Sequence, residues 1–175
     1  MERPRRIECA DDSALEIVDE DERLETSTPR PARPRTLIPK VGPADLTLIF
    51  DGGALGNPGK GYGSYLIGGL IETAQPVRVE FEGRTTNNQA EYMTMLHGLR
   101  LILRELERDA REPAALSLNV LSDSKLVVEQ VSGRWKIRNA ELLPLAQDGR
   151  ALLARFASWR LVWQPRIESV RLLGH

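Results

Sequence analysis

The chain has one cysteine, Cys9, in 175 residues, so no internal disulfide can form and burial alone must stabilise the fold; a reducing compartment is the simpler setting. No run of about 18 apolar residues occurs, and the basic start Met1-Glu2-Arg3-Pro4-Arg5-Arg6 is not followed by the apolar stretch of a secretory leader. These absences exclude a disulfide scaffold and lead to the expectation of a soluble, cytoplasmic protein with no membrane segment. No serine or cysteine falls in a recognisable motif with a paired His and Asp, so covalent nucleophilic chemistry has no support. There is also no strong charge bias: the formal net charge is −1. That average hides a split, because residues through Asp45 carry 8 basic and 11 acidic side chains, whereas those from Leu46 onward carry 16 and 14. The second part is mildly basic, which neither requires nor excludes a polyanionic partner.

What is present divides at about residue 43. The first part holds six of the eleven prolines, the acidic block Asp19-Glu20-Asp21-Glu22 and a Pro/Arg alternation from Pro29 to Arg35. Such a segment buries too little to offset its ordering entropy, and residues 1–43 are expected to be a disordered tail and linker. Residues 44–175 are expected to form one domain with a shortened C-terminal end, acting as a monomer. Leu46 to Phe50 reads as a buried strand broken by Asp51-Gly52-Gly53; Gly61 to Gly69 and Val77 to Phe81 follow as antiparallel neighbours. From Asn88 a helical period sets in, with Tyr92, Leu96, Leu99, Leu103 and Leu106 on one face. A strand over Leu116 to Leu121, a helix over Lys125 to Val131 ended by Gly133, a helix from about Ala140 to Phe156 with Asn139 as cap and Pro144 delaying or breaking it, and a strand over Trp159 to Gln164 complete the pattern. The order β-β-β-α-β-α-α-β predicts an α/β fold, a five-stranded mixed sheet flanked by helices, with only a stub of helix after the last strand.

Three carboxylates stand at informative places in that order: Asp51 at the end of the first strand, Asp123 just past the fourth, and Glu91 in the first turn of the main helix. If the first and fourth strands are parallel neighbours, both aspartates emerge at one sheet edge, where α/β folds place their sites. Each residue alone has an ordinary structural role: Glu91 lies three after Asn88 as in a capping box, Asp51 opens a Gly-rich turn, and Asp123 sits between serines at a helix start. Brought together, three carboxylates repel one another, and a hard divalent cation is the natural remedy.

The surroundings of these residues sharpen the reading. Asp51-Gly52-Gly53 with Gly56-Asn57-Pro58-Gly59, then Thr86-Asn87-Asn88-Gln89-Ala90-Glu91-Tyr92, then Ser122-Asp123-Ser124-Lys125-Leu126-Val127-Val128 agree in order and spacing. Together they resemble the type I ribonuclease H family from about Leu46 onward. The resemblance implies a ribonuclease H-like fold, and an endonuclease that hydrolyses the RNA strand of RNA–DNA hybrids by in-line attack of water, leaving a 5′-phosphate and a 3′-hydroxyl. It makes Asp51, Glu91 and Asp123 metal ligands for Mg²⁺ or Mn²⁺, as two ions with Asp51 shared between them. It also makes Gly52, Gly53, Asn88 and Gln89 the contacts to the RNA strand, and Trp135, Lys136 and Arg138 the contacts to the DNA strand.

The match fails at one place. Members carry a fourth carboxylate in a final helix, after a segment resembling Pro165-Arg166, and a gapless placement puts Leu173 there. His175 is the nearest metal-capable side chain and is taken as a candidate fourth ligand or catalytic group, with Glu168 a weaker substitute. A second reading therefore stays open: a hybrid-binding module catalytically weakened by the missing carboxylate.

Overall fold

The computed structural model describes Arg5–Ile7 and residues 42–174. Most of the expected tail, and His175, lie outside the described residues. The elements are β1 (Arg5–Ile7), β2 (Leu46–Gly56), β3 (Gly59–Gly69), β4 (Ile71–Thr73), β5 (Val77–Thr85), α1 (Asn87–Arg108), β6 (Ser117–Ser122), α2 (Lys125–Val131), α3 (Leu142–Leu153), β7 (Ser158–Trp163) and α4 (Arg166–Leu173). Five strands form one sheet in the order β5-β3-β2-β6-β7. β5, β3 and β2 pair antiparallel, and β2, β6 and β7 pair parallel. This is the mixed sheet that the element order predicts. The short β1, which the sequence does not announce, pairs parallel with β4 as a separate two-stranded ribbon.

β2 is the axis of the molecule, buried at every position from Leu46 to Asp51 because helices cover both faces of the sheet. On one face Leu48 and Phe50 pack into the main core with Tyr92, Met95 and Leu99 of α1. On the other, Ile49 and Leu121 meet Leu172 and Leu173 of α4. The terminal helix is thus a packing element anchored to the two central strands, rather than the expected stub. Leu173, at 1% exposure, is one of its anchors.

Two local readings change. Asp51-Gly52-Gly53 does not end the first strand: β2 continues to Gly56, paired with β3 through Asp51↔Ser64 to Gly56↔Gly59. What ends near Asp51 is the parallel ladder to β6, whose last pair is Ile49↔Leu121. The third helix runs from Leu142 to Leu153 rather than from about Ala140 to Phe156, and of the two effects expected of Pro144 the late start is the one seen: the proline sits in the first turn, where its missing N–H costs nothing. Asn139 accepts a hydrogen bond from the Glu141 N–H (2.8 Å) just ahead of that helix.

Gly52 is where sheet and helix come closest. A Cβ there would lie 2.7 Å from the backbone of Ala90 and of Glu91, so any side chain would push α1 off the sheet. Gly52→Ala is expected to cost about 1–3 kcal/mol through overpacking against backbone that cannot rotate away. Thermal unfolding measures it, and an unchanged midpoint would show that α1 is free to shift.

Candidate active site

Asp51 reaches the site from the middle of β2, just beyond the end of its pairing with β6. Asp123 follows the last residue of β6 and precedes Ser124, the N-cap of α2, whose hydroxyl accepts from the Val127 N–H. Because β2 and β6 are parallel neighbours, their C-terminal directions deliver both aspartates to the same end of the sheet, as a switch point in an α/β sheet does. Glu91 arrives from the second turn of α1 rather than the expected first, because the helix begins at Asn87, and its approach is set by Gly52.

The capping of α1 differs from expectation. Thr86, not Asn88, is the N-cap, and Gln89 completes the capping box: the Thr86 N–H donates to Gln89 Oε1 (2.9 Å), and the Gln89 N–H donates to Thr86 Oγ1 (3.3 Å). Glu91 is therefore free of capping duty, and its carboxylate accepts a hydrogen bond from the Ser124 hydroxyl. That bond ties α1 to the start of α2 across the cleft.

Burial dominates the electrostatics. It pushes the Glu91 carboxyl up from its ordinary 4.5 to about 7; repulsion from Asp51 and Asp123 adds to this, while the Ser124 hydrogen bond and Arg166 oppose it. Asp123 is also raised, first by burial and then by Asp51, against the pull of Arg166. The three carboxylates therefore sense one another. Among the described residues, however, no three acidic, histidine or cysteine side chains close into a preformed metal cage. A cation of the protein's own stands between two of them: Arg166 Nη1 lies 3.3 Å from Asp123 Oδ2 and 3.7 Å from Asp51 Oδ2.

The donor set suits a hard divalent ion. All three groups offer carboxylate oxygens, and Asp123 Oδ1 is buried with no hydrogen-bond partner, a lone pair that a cation would satisfy. The fourth position does not fit, because Leu173 packs in the apolar cluster under α4. The Glu168 carboxylate pairs with Arg171 (2.7 Å) on the same helix. His175 lies outside the described residues. His97 is away from the cleft and shares a hydrogen bond with the Tyr65 hydroxyl (2.9 Å).

The other expected site residues fall at the rim. Gly52 and Gly53 follow Asp51 on β2, and Asn88 is exposed in the first turn of α1. Gln89 is committed to its cap and to Glu141, whose Oε2 accepts from Gln89 Nε2 (3.0 Å). Trp135, Lys136 and Arg138 are exposed in the irregular segment between α2 and α3, and Lys125 Nζ sits 5.9 Å from the centre of the Trp135 ring. Sequence reasoning missed Arg166 and Ser124 as site residues and read Trp163 as strand packing. Trp163 is instead 49% exposed, and its indole N–H donates to the Asp123 carbonyl (3.0 Å).

A mixed five-stranded sheet with acidic groups delivered by its two central parallel strands and by the helix crossing them defines an α/β protein of the ribonuclease H-like class. The sequence family described as Reverse transcriptase-like matches residues 76–170. Bifunctional protein Rv2228c of Mycobacterium tuberculosis is 41% identical over 122 residues, 69% of this chain, which spans only 31% of that protein. The solved N-terminal RNase H domain of rv2228c, a fusion with maltose binding protein, superposes with a TM-score of 0.63 at 32% identity, covering 75% of this chain and 92% of that one. The structure of LC11-RNase H1 in complex with an RNA/DNA hybrid superposes with a TM-score of 0.61 at 25% identity, covering 73% and 90%. The chain belongs to the ribonuclease H family.

The raised carboxyls have a measurable consequence in metal-free protein. A group whose folded pKa exceeds its unfolded value holds its proton more tightly when folded, so its contribution to stability falls as pH rises from about 4.5 through about 7. Asp123 acts in the same direction. Removing the titration with Glu91→Gln is expected to flatten that decline and stabilise the chelated protein at pH 8 by on the order of 1–3 kcal/mol. Denaturant unfolding at pH 5 and pH 8 measures it; equal pH slopes in both proteins would contradict the assignment.

Proposed function

We propose that this protein is a divalent-metal-dependent endoribonuclease that hydrolyses the RNA strand of RNA–DNA hybrids. The observation that carries the reading is the convergence of Asp51, Glu91 and Asp123 where the parallel pairing of β2 and β6 ends, on a fold shared with solved ribonuclease H domains. The hybrid held by the related LC11 protein supports the same substrate class. Asp51, Glu91 and Asp123 would hold the metal, proposed as two Mg²⁺ or Mn²⁺ ions, which supplies Lewis-acid stabilisation of phosphate charge and an activated water.

The chain's own residues bind and orient the substrate. The backbone groups of Gly52 and Gly53, with the side chain of Asn88, offer the small polar contacts that distinguish a 2′-hydroxyl. Trp135, Lys136 and Arg138 form an exposed basic and aromatic segment suited to the phosphates and sugars of the DNA strand. Affinity that rests on so few cations should fall steeply with salt. Water is the nucleophile and the leaving 3′-oxygen takes up a proton, so products carry a 5′-phosphate and a 3′-hydroxyl.

The buried Leu173 favours one further reading, a hybrid-binding protein with weakened turnover. A single assay separates them. Labelled RNA–DNA hybrid, duplex DNA and duplex RNA are incubated with Mg²⁺, Mn²⁺ or chelator, using the wild type and Asp51→Asn. The enzyme reading predicts cleavage of the hybrid alone, only with metal, and at least about a 10²-fold loss of kcat in the near-isosteric variant. Hybrid binding without metal-dependent cleavage would establish the weaker alternative.

A further inference from the structure

The feature that the ribonuclease reading leaves unused is the guanidinium in the acidic cleft. Arg166 is the first residue of α4, placed directly after Pro165, whose backbone is extended (ψ 144°). The helix behind it is fixed by Leu172 and Leu173 against Ile49 of β2 and Leu121 of β6. These are the strands that carry Asp51 and lead to Asp123. The apolar packing that occupies the fourth-carboxylate position thus also sets the Arg166 backbone in register with both aspartates.

The side chain itself is held only lightly. Arg166 is 67% exposed while the two aspartate side chains it faces are 6% and 7% exposed. Its Nη1 is within ion-pair distance of both and donates a hydrogen bond to Asp123 Oδ2 at 3.3 Å. Its charge also acts on Glu91. One delocalised positive charge therefore offsets part of the repulsion among three acids largely withdrawn from water, from a side chain that can leave into water at small cost. A compact divalent ion carries twice the charge and can satisfy the orphaned Asp123 Oδ1 as well.

We propose that Arg166 is a resident counter-cation of the acidic cleft: it holds the metal-free site together through Asp51 and Asp123, and a divalent ion must displace it to bind. Arg166 therefore sets the metal concentration at which the site fills. This rests on reading the three carboxylates as a metal site, and it is tested by metal binding alone, without substrate.

Calorimetric titration of the full chain with Mn²⁺ would compare the wild type with Arg166→Gln, Arg166→Lys and Arg171→Gln. The last removes the same charge from the same helix at a residue paired with Glu168. Losing the competing charge is expected to tighten Mn²⁺ binding about tenfold in Arg166→Gln, with a smaller change in Arg166→Lys and none in Arg171→Gln. In chelator, Arg166→Gln should melt lower than the wild type and gain more from Mn²⁺. In the wild type, Mg²⁺ titration should shift the Arg166 guanidinium NMR signals and speed their hydrogen exchange, a readout independent of how well the variants fold. Equal or weaker Mn²⁺ binding by Arg166→Gln, or guanidinium signals unmoved at Mg²⁺ saturation, would overturn the inference and leave the metal site standing. No Mn²⁺ uptake by any of the proteins would remove the metal site, and this inference with it.

Discussion

Mutual repulsion among Asp51, Glu91 and Asp123, in a cleft where burial already disfavours the charged forms of Glu91 and Asp123, governs how the surrounding elements are arranged. Raised carboxyls at Glu91 and Asp123 are its electrostatic signature. A domain with no disulfide to draw on must hold these groups together by packing. It does so by attaching each acid to an element with little freedom: a central strand buried on both faces, the end of its parallel neighbour, and a helix capped at Thr86 and pressed against a glycine. The covering helices are consequently part of the site. Tyr92 packs in the main core one residue after Glu91, and its hydroxyl donates to Gln130 of α2 (3.0 Å).

The same constraint gives meaning to the groups around the acids. Ser124 caps α2 and donates to Glu91, Trp163 donates to the Asp123 carbonyl, and Arg166 faces both aspartates. Ser124 and Arg166 each offset part of the unfavourable charge without closing the cleft, and Trp163 holds the Asp123 backbone. The cleft therefore remains a place where a stronger cation, and behind it a phosphate chain, is favoured. The exposed segment of Trp135, Lys136 and Arg138 lies outside this acidic centre and offers positive charge where a second strand would run.

Legibility from the sequence follows the range of the interactions involved. The three acids and the mixed sheet were readable because each sits in a local pattern of glycines, asparagines and serines, and because the strand order constrains the topology. The cap of α1 lies two residues before the expected one, since Asn88 is by type the better capping residue and only the backbone selects Thr86. The length of β2 was underestimated because Gly52-Gly53 reads as a turn, yet here glycine serves the approach of α1. Arg166 was invisible as a site residue: an arginine after a proline at a helix start reads as solvated, and its partners are 43 and 115 positions away. Only the packing of Leu172 and Leu173 brings it to them, and such tertiary placement has no local signal. Leu173 was recognised as a departure from the family, but its role as an anchor of α4 emerged from the fold.

Anomalous diffraction from crystals soaked in Mn²⁺ would show whether these three acids hold a divalent ion. Density bounded by oxygens of Asp51, Glu91 and Asp123 at roughly 2.1–2.3 Å is expected, with the Arg166 guanidinium withdrawn toward solvent. A cleft without anomalous density at saturating Mn²⁺, with the arginine still between the aspartates, would contradict that expectation.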